Sequence, residues 1–392
     1  MMRKRTILAF FAYSFCVVAY FVPIFANSIF IEGYLSRQSI NFIEHDQIDA
    51  MHIYGYVVAT ILLLVFFRYV AFKKLITFSV FLYILSTFAI VLAPLNEGVS
   101  WSWFFLHSAS LIITPILMLW YILCDDKINN NYSIAIYFSS ILTAYLVVEL
   151  VGYFIIYNQA DFPLEGMVVS NLIPFGVFGS ILGLSAVYEA RIDGDDEQFY
   201  SIMRNMEIES LVGFTVFYVL ILMLRGYDLY ALINHLVILE VRDIQFIMFI
   251  AMVIAIGVTI FLPFQVGEQK FNRHKLSISC IALMMILFTT LPYWGLYYIT
   301  DIVCWFILGV LFYLLFSFHL LILSEKFDGI NLFTALAIYA LICCFGCYSG
   351  YLVGASSENT IGENGFLISI SFVLLGLLLY YMYFSKKHKL YK

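Results

Sequence analysis

Residues 55–94 read GYVVATILLLVFFRYVAFKKLITFSVFLYILSTFAIVLAP, and this stretch decides the fold. It contains two apolar runs of about 20 residues each, which is long enough to cross the ~30 Å hydrocarbon core of a bilayer as helices. A short hinge with Arg68, Lys73 and Lys74 joins the two runs. The hinge predicts two antiparallel neighbouring helices, and its cations predict a cytoplasmic position, because basic short loops resist translocation.

The whole chain has the composition of a membrane protein. Of its 392 residues, 63% are hydrophobic and 12% are charged, whereas soluble domains have roughly 45–50% apolar and about 25% charged residues. The cysteines lie in or at the ends of apolar runs, so a disulfide framework is not expected. No basic stripe is present, which argues against nucleic acid as a partner. We expect an all-α polytopic membrane protein surrounded by the lipid bilayer.

The apolar runs predict twelve transmembrane helices. The first run follows the basic start MMRKRT and is longer than the 7–15 apolar residues of a signal peptide, so it reads as a first span. The twelve runs cover residues 7–30, 51–71, 75–94, 101–124, 133–157, 168–190, 209–230, 243–265, 276–294, 300–324, 329–354 and 364–385.

The positive charges support this count. With the N-terminus in the cytoplasm, all Lys and Arg residues except Arg37, Arg225 and Arg242 fall in cytoplasmic segments. A missed or extra helix would destroy this asymmetry, so the charges test the number of spans as well as their orientation. We therefore expect a multi-pass protein of a bacterial inner (cytoplasmic) membrane, with both termini in the cytoplasm.

The longest polar break, Ala190 to Ser210, divides the spans six and six. It predicts an N-terminal six-helix bundle at 1–190, a cytoplasmic linker at 191–208 and a C-terminal six-helix bundle at 209–392. The linker's end, FYSIMRNMEI, predicts a short amphipathic helix on the membrane surface. A second basic hinge, QVGEQKFNRHK, lies half a chain length after the first, as an internal duplication would place it.

Twelve spans, two cytoplasmic ends, a central cytoplasmic loop and basic hinges after spans two and eight resemble the major facilitator superfamily of secondary transporters. Arg68, Lys73 and Lys74 match the basic positions of the family's first hinge signature, whereas Phe67 stands where the family has Asp. The resemblance implies that this hinge takes part in gating. It also implies two six-helix bundles that rock about a site near the midplane, lined mainly by spans one, four, seven and ten.

Ionisable residues inside the spans are the first candidates for function, because they are costly in a membrane. Glu149 in span five and His107 in span four lie at similar depths, where a carboxylate and an imidazole can share a proton. Glu149 is therefore the first candidate for proton coupling. The alternative is a neutral Glu149 that only bonds a neighbouring helix.

Other polar residues have two interpretations each. Arg225 and Asp228 end span seven: Arg225 can face an anionic solute at the outer mouth of the cavity, or the two can pair with each other at the helix end. His319 in span ten can face the cavity or bond a backbone carbonyl, and Asn171 in span six is a hydrogen-bonding candidate.

Span eleven contains the sequence LICCFGCYSG, in which small residues recur. With no His or acid nearby, close helix packing is a better explanation than a metal site. The small-residue stripe predicted to pack there consists of Gly346, Gly350 and Gly354. We expect no metal, no cofactor and no catalytic residue.

The leading hypothesis is a secondary active transporter, and not an enzyme, that moves a small organic solute by alternating access. Proton coupling and export are favoured, and the protein is expected to be a monomer. Three alternatives stay open: an integral membrane enzyme of envelope polysaccharide synthesis, a lipid-linked oligosaccharide flippase, and a non-transporting protein derived from the transporter fold. The first would need several outer His or Arg residues, and the second a cationic cavity.

Overall fold

The structure is a computed structural model, and its described residues form helices and no strands. The chain separates into two compact units, Met1–Asp195 and Asp196–Lys392, and each is described by itself. The limits predicted above for the two bundles and their linker stay a prediction. The described residues are 45–67, 69–70, 72–92, 97–124, 130–140, 142, 199–234, 241–266, 272–294 and 298–388.

The first unit contains the stretch that decides the fold. Its described helices are α1 (His45–Phe66), α2 (Phe72–Leu92), α3 (Glu97–Leu123) and α4 (residues 130–140). The ends of α1, α2 and α3 lie within a few residues of the predicted spans 51–71, 75–94 and 101–124, except that α1 begins earlier. Helix ends of this kind are uncertain by one or two residues under any definition.

Both helices of the deciding stretch pack chiefly against α3, not against each other as expected. The reason is visible at Gly55 of α1. A Cβ atom at this position would lie 2.7 Å from the backbone oxygen of Phe105 and 2.7 Å from Cβ of Ser108, both on α3. The missing side chain therefore lets α1 approach α3 closely, as small residues do between membrane helices.

Most of the described residues lie in the second unit. Its core contains the fully buried aromatic side chains of Phe288, Trp305, Phe318 and Tyr381. Its helices are α5 (Phe199–Asn205), α6 (Glu207–Asn234), α7 (Val241–Val266), α8 (Arg273–Trp294), α9 (Tyr298–Lys326) and α10 (Gly329–Lys387).

Helix α10 includes both of the last two predicted spans, 329–354 and 364–385. Its backbone is non-helical at Gly362, where φ is 68° and ψ is 164°, a conformation that glycine adopts without strain. Tyr339 and Tyr381, on opposite sides of this point, both contact the ring of His319. The chain therefore folds back near Gly362, and we call Gly329–Gly354 the first arm and Gly365–Lys387 the second arm of α10.

Within the described part of the chain, five helical segments are long and apolar enough to cross a membrane, by length and composition. All five belong to the second unit, and they agree with predicted spans. The protein is accordingly an integral, multi-pass membrane protein. The five segments are Glu207–Leu224, Arg273–Leu291, Ile302–Lys326, Gly329–Gly354 and Gly365–Lys387.

The short helix predicted before the seventh span is present as α5. Its side chains divide into two kinds, since Ile202 is buried and Tyr200 is 82% exposed. The next residue after α5, Met206, is also buried, and α5 packs against α10. The predicted short helix is therefore confirmed, whereas its amphipathic character and its position on a membrane surface stay predictions.

Two glycines of the predicted small-residue stripe form a close helix contact in the second unit. A Cβ atom at Gly346 would lie 2.5 Å from the backbone oxygen of Phe214, and one at Gly350 would lie 2.4 Å from that of Tyr218. Phe214 and Tyr218 are one helical turn apart on α6. The small-xxx-small packing predicted for Gly346 and Gly350 is confirmed, and it brings the first arm of α10 against α6.

Candidate functional site: a buried polar cluster in the second unit

Some of the predicted site residues are not open to description. Glu149, Asn171 and Arg68 lie outside the described residues. The pairing of Glu149 with its neighbours therefore stays a prediction. Lys74 lies near the start of α2 with its side chain exposed.

Three further predicted residues are described only by their place on a helix. Arg225 and Asp228 both lie inside α6, which continues to Asn234. They are three residues apart on one helix, as the sequence predicts. Lys73 lies in the first turn of α2.

His107 lies in α3 and is buried, with an exposed fraction of 2%. Its ring lies 5.5 Å from that of Tyr83 on α2, with 32° between the two planes. The hydroxyl of Ser110 donates a 2.6 Å hydrogen bond to the backbone oxygen of His107. His107 is thus held inside the first unit, within predicted span four, where an ionisable side chain is a functional candidate.

His319 is enclosed by two tyrosine rings. It lies in α9 with an exposed fraction of 1%. Its ring centroid is 6.4 Å from that of Tyr339 on the first arm of α10 and 6.4 Å from that of Tyr381 on the second arm. Both rings stand edge-on to the imidazole, at 90° and 86°. Within the described residues its buried Nε2 has no hydrogen-bond partner, so this nitrogen does not bond a carbonyl there.

Tyr381 joins this enclosed ring to a second histidine. Nδ1 of His274, near the start of α8, lies 2.9 Å from Oη of Tyr381, within hydrogen-bond distance. His274 is partly exposed, whereas Tyr381 is fully buried. A chain of side chains therefore runs from the partly exposed His274 through Tyr381 to the buried His319.

Two ion pairs lie at the same end of the unit. Nζ of Lys326, the last residue of α9, lies 2.5 Å from Oε1 of Glu209 in the first turn of α6. The Glu209 side chain is 2% exposed and that of Lys326 is 32% exposed. Arg273 at the start of α8 pairs with Glu325 of α9. An acid at a helix start and a lysine at a helix end also match the helix dipoles.

The cysteines of the first arm extend the cluster. Cys343 lies one turn after Tyr339 along α10. Cys343 and Cys344 are buried, and Cys347 is partly buried. In the part of the chain that the structure describes, no group of three or more His, Cys, Asp or Glu side chains is placed to hold a metal ion.

The arrangement has one clear chemical capacity. Two imidazoles and a phenol can hold a proton and pass it along a line, because each group both donates and accepts hydrogen bonds. The charges of Glu209, Lys326 and Arg273 act on His274, the outer member of the line. The charges of Lys326 and His274 act on His319, the inner member.

Sequence reasoning missed several members of this cluster. Glu209, His274 and Tyr381 were not among the predicted site residues, because they lie at the ends of apolar runs where polar residues are ordinary. A usable signal was present at Glu209, an acid followed at once by a long apolar run. Acids of the first turn face the helix start, where a cation from another helix can reach them.

No family model matches the chain. An uncharacterized protein of Rickettsia prowazekii (strain Madrid E) is 26% identical over 197 residues, which is 50% of this chain and 50% of that protein. The chain thus spans about half the length of the curated relative it matches. Structural similarity to solved proteins extends over nearly the whole chain.

The transporter FucP, a major facilitator superfamily protein solved in its outward conformation, matches with a TM-score of 0.73 at 12% identity over 97% of this chain and 99% of FucP. The chain therefore has the major facilitator fold. The proton:xylose symporter XylE shares this fold, with a TM-score of 0.68 at 12% identity over 99% of this chain and 96% of XylE.

The human organic anion transporter MFSD10 also has the major facilitator fold. It matches with a TM-score of 0.68 at 10% identity over 96% of this chain and 98% of MFSD10. The resemblance seen in the pattern of spans and hinges is confirmed as a shared fold, whose amino-acid sequences have diverged widely. In this major facilitator fold the cluster around His319 belongs to the C-terminal half of the chain.

Proposed function

We propose that the protein is a secondary active transporter that moves a small organic solute across the membrane by alternating access. The observation that carries the proposal is the match of nearly the whole chain to transporters of the major facilitator fold. In such folds, two bundles rock about a site near the bilayer midplane and expose it to each side in turn.

We propose further that transport is coupled to protons. Two of the similar structures, FucP and XylE, are a fucose:proton and a proton:xylose symporter. This chain has its own ionisable residues within predicted spans, among them Glu149 and His107. Such residues in a membrane commonly form proton relays. We propose that the solute is exported. Flux measured with the pH difference imposed in each of its two directions tests this proposal.

We expect the change Glu149→Gln to abolish gradient-driven flux, because glutamine keeps the shape of the side chain and cannot carry the proton. Proteoliposomes with an imposed pH difference and a panel of labelled metabolites, including fucose and xylose, measure the flux. Glu165→Gln, between the predicted spans five and six, is the matched control and should behave as wild type. Full gradient-driven flux in the Glu149→Gln protein would remove Glu149 from the coupling mechanism.

The sign of the pH difference that drives accumulation shows the direction of solute transport. An exporter that exchanges solute for protons accumulates solute in vesicles whose interior is the more acidic side. A symporter accumulates solute when the outside is the more acidic. Accumulation only with an acidic exterior would contradict the proposed export and leave proton coupling in place.

A further inference from the structure

We propose that His319 holds the transported proton in the second unit, and that Tyr381 and His274 connect it to the end of the unit predicted to be cytoplasmic. The inference rests on the proposed function and assigns a residue to its proton step. It adds a proton site in the C-terminal half to the predicted one at Glu149.

The first support is the environment of His319. The imidazole is almost completely enclosed, and its Nε2 is one of the buried side-chain atoms that lack a hydrogen-bond partner within the described residues. Buried polar groups in proteins are nearly always satisfied, so an exception calls for an explanation. Phe or Leu would fill the gap between Tyr339 and Tyr381 without leaving a polar atom unpaired. A ring that binds a proton in part of a cycle explains why histidine occupies this place.

The second support is the balance of charge around the ring. Glu209 is engaged by Lys326, and Glu325 by Arg273, so each of these carboxylates already has its cation. Helix α7 offers no ionisable side chain over residues 247–261. The titratable and charged groups described around His319 and His274 are Glu209 of α6, Arg273 of α8, and Tyr339, Cys343 and Tyr381 of α10, with Glu325 and Lys326 on α9 itself.

This balance couples proton binding to conformation. A charge enclosed without a partner is costly, so a protonated His319 favours an arrangement of helices in which the rings of Tyr339 and Tyr381 move apart and the imidazole is less enclosed. A neutral His319 favours the arrangement seen here, in which both rings enclose it. A ligand that binds one of two conformations better shifts their populations, and the proton acts here as that ligand.

The third support is the line of groups that leads outwards. In the proposed step, Nε2 of the protonated His319 gives its proton to Oη of Tyr381, while the hydroxyl proton of Tyr381 passes to Nδ1 of His274. His274 then releases the proton on its own Nε2 to water. One proton moves, Tyr381 keeps a hydroxyl group, and only N–H and O–H bonds change. The step requires the His319 ring to turn about its broad χ2 torsion until Nε2 reaches Oη of Tyr381.

The test uses the whole protein in proteoliposomes and the panel solute that gives the largest gradient-driven flux in wild type. A difference of about one pH unit supports about tenfold accumulation when one proton moves per solute. Wild type and the control His388→Gln, a histidine that directly follows α10 and is not part of the proposed line, should both reach this level. His319→Gln should show no accumulation, yet exchange labelled for unlabelled solute at equal pH. Tyr381→Phe should slow accumulation, and Tyr383→Phe, an exposed neighbour, should not.

Accumulation by His319→Gln at the wild-type level would overturn the inference. If this variant lost both accumulation and exchange, histidine-labelled protein in liposomes would decide by nitrogen NMR. In wild type, the signal that disappears in His319→Gln must titrate within the pH range in which the protein accumulates solute, and a ring that stays neutral throughout that range would overturn the inference. If wild type itself accumulated no solute, the proposed function would be rejected, because the loss would then not depend on His319.

Discussion

Replacing Lys326 by alanine is expected to lower the free energy of unfolding by about 3 kcal/mol, because it leaves the buried carboxylate of Glu209 without its cation. The Glu209 side chain is 2% exposed and has Lys326 as its cation at 2.5 Å. Breaking a buried pair from one side typically costs about 3–5 kcal/mol, and the partial exposure of the lysine places this case at the lower end. Thermal unfolding in detergent micelles, monitored by circular dichroism, measures the loss.

The two partners should not be equivalent. After Glu209→Gln, the ammonium of Lys326 is already a third exposed and can turn into water, so the expected loss is only about 1 kcal/mol. The double variant Glu209→Gln with Lys326→Met should be more stable than Lys326→Ala alone. Lys386→Ala, which removes an exposed lysine near the end of α10, is the control and should change little. Equal losses from the two sides, or a larger loss from Glu209→Gln, would contradict this description of the pair.

Gly350→Ala and Gly346→Ala are each expected to destabilise the second unit by about 2 kcal/mol, and together by more. The new methyl groups would meet the backbone oxygens of Tyr218 and Phe214, and backbone atoms cannot rotate away as a side chain can. Helices α6 and α10 would therefore have to separate, which loosens every contact along the first arm. The same unfolding measurement shows the effect.

Two other helical glycines provide matched controls. A Cβ atom added at Gly257 of α7 or Gly376 of α10 would meet nothing within 4 Å. Alanine is a better helix former than glycine by about 1 kcal/mol, so Gly257→Ala and Gly376→Ala should be neutral or slightly stabilising. Similar losses at all four positions would show that the glycines matter through helix propensity and not through close contact.

Local patterns predicted the elements well. Predicted span 276–294 appears as α8, Arg273–Trp294, because an apolar run in a membrane must satisfy its backbone groups internally as a helix. The stripe of Gly346 and Gly350 was equally readable, since a spacing of four places both on one face. The boundary between the last two predicted spans was harder to predict, because α10 departs from helical geometry only at Gly362.

The contacts of the candidate site could not be read from the sequence. Lys326 and Glu209 are 117 residues apart, and His274 and Tyr381 are 107 residues apart. The sequence of a helix shows which side it buries through the contrast between its apolar and polar faces. Helices that are apolar all round have little such contrast, so their neighbours cannot be predicted from it. The hinge at Arg68 likewise predicted that α1 and α2 would pack as antiparallel neighbours, whereas both pack chiefly against α3.

The most direct test of the central claim is accumulation of solute by the wild-type protein in proteoliposomes under an imposed pH difference. A proton-coupled transporter should concentrate at least one solute of the panel about tenfold for about one pH unit, and a protonophore should return the solute to equality with the medium. If every solute only equilibrates, whichever side is acidic and whether or not the protonophore is present, the proposed function is wrong.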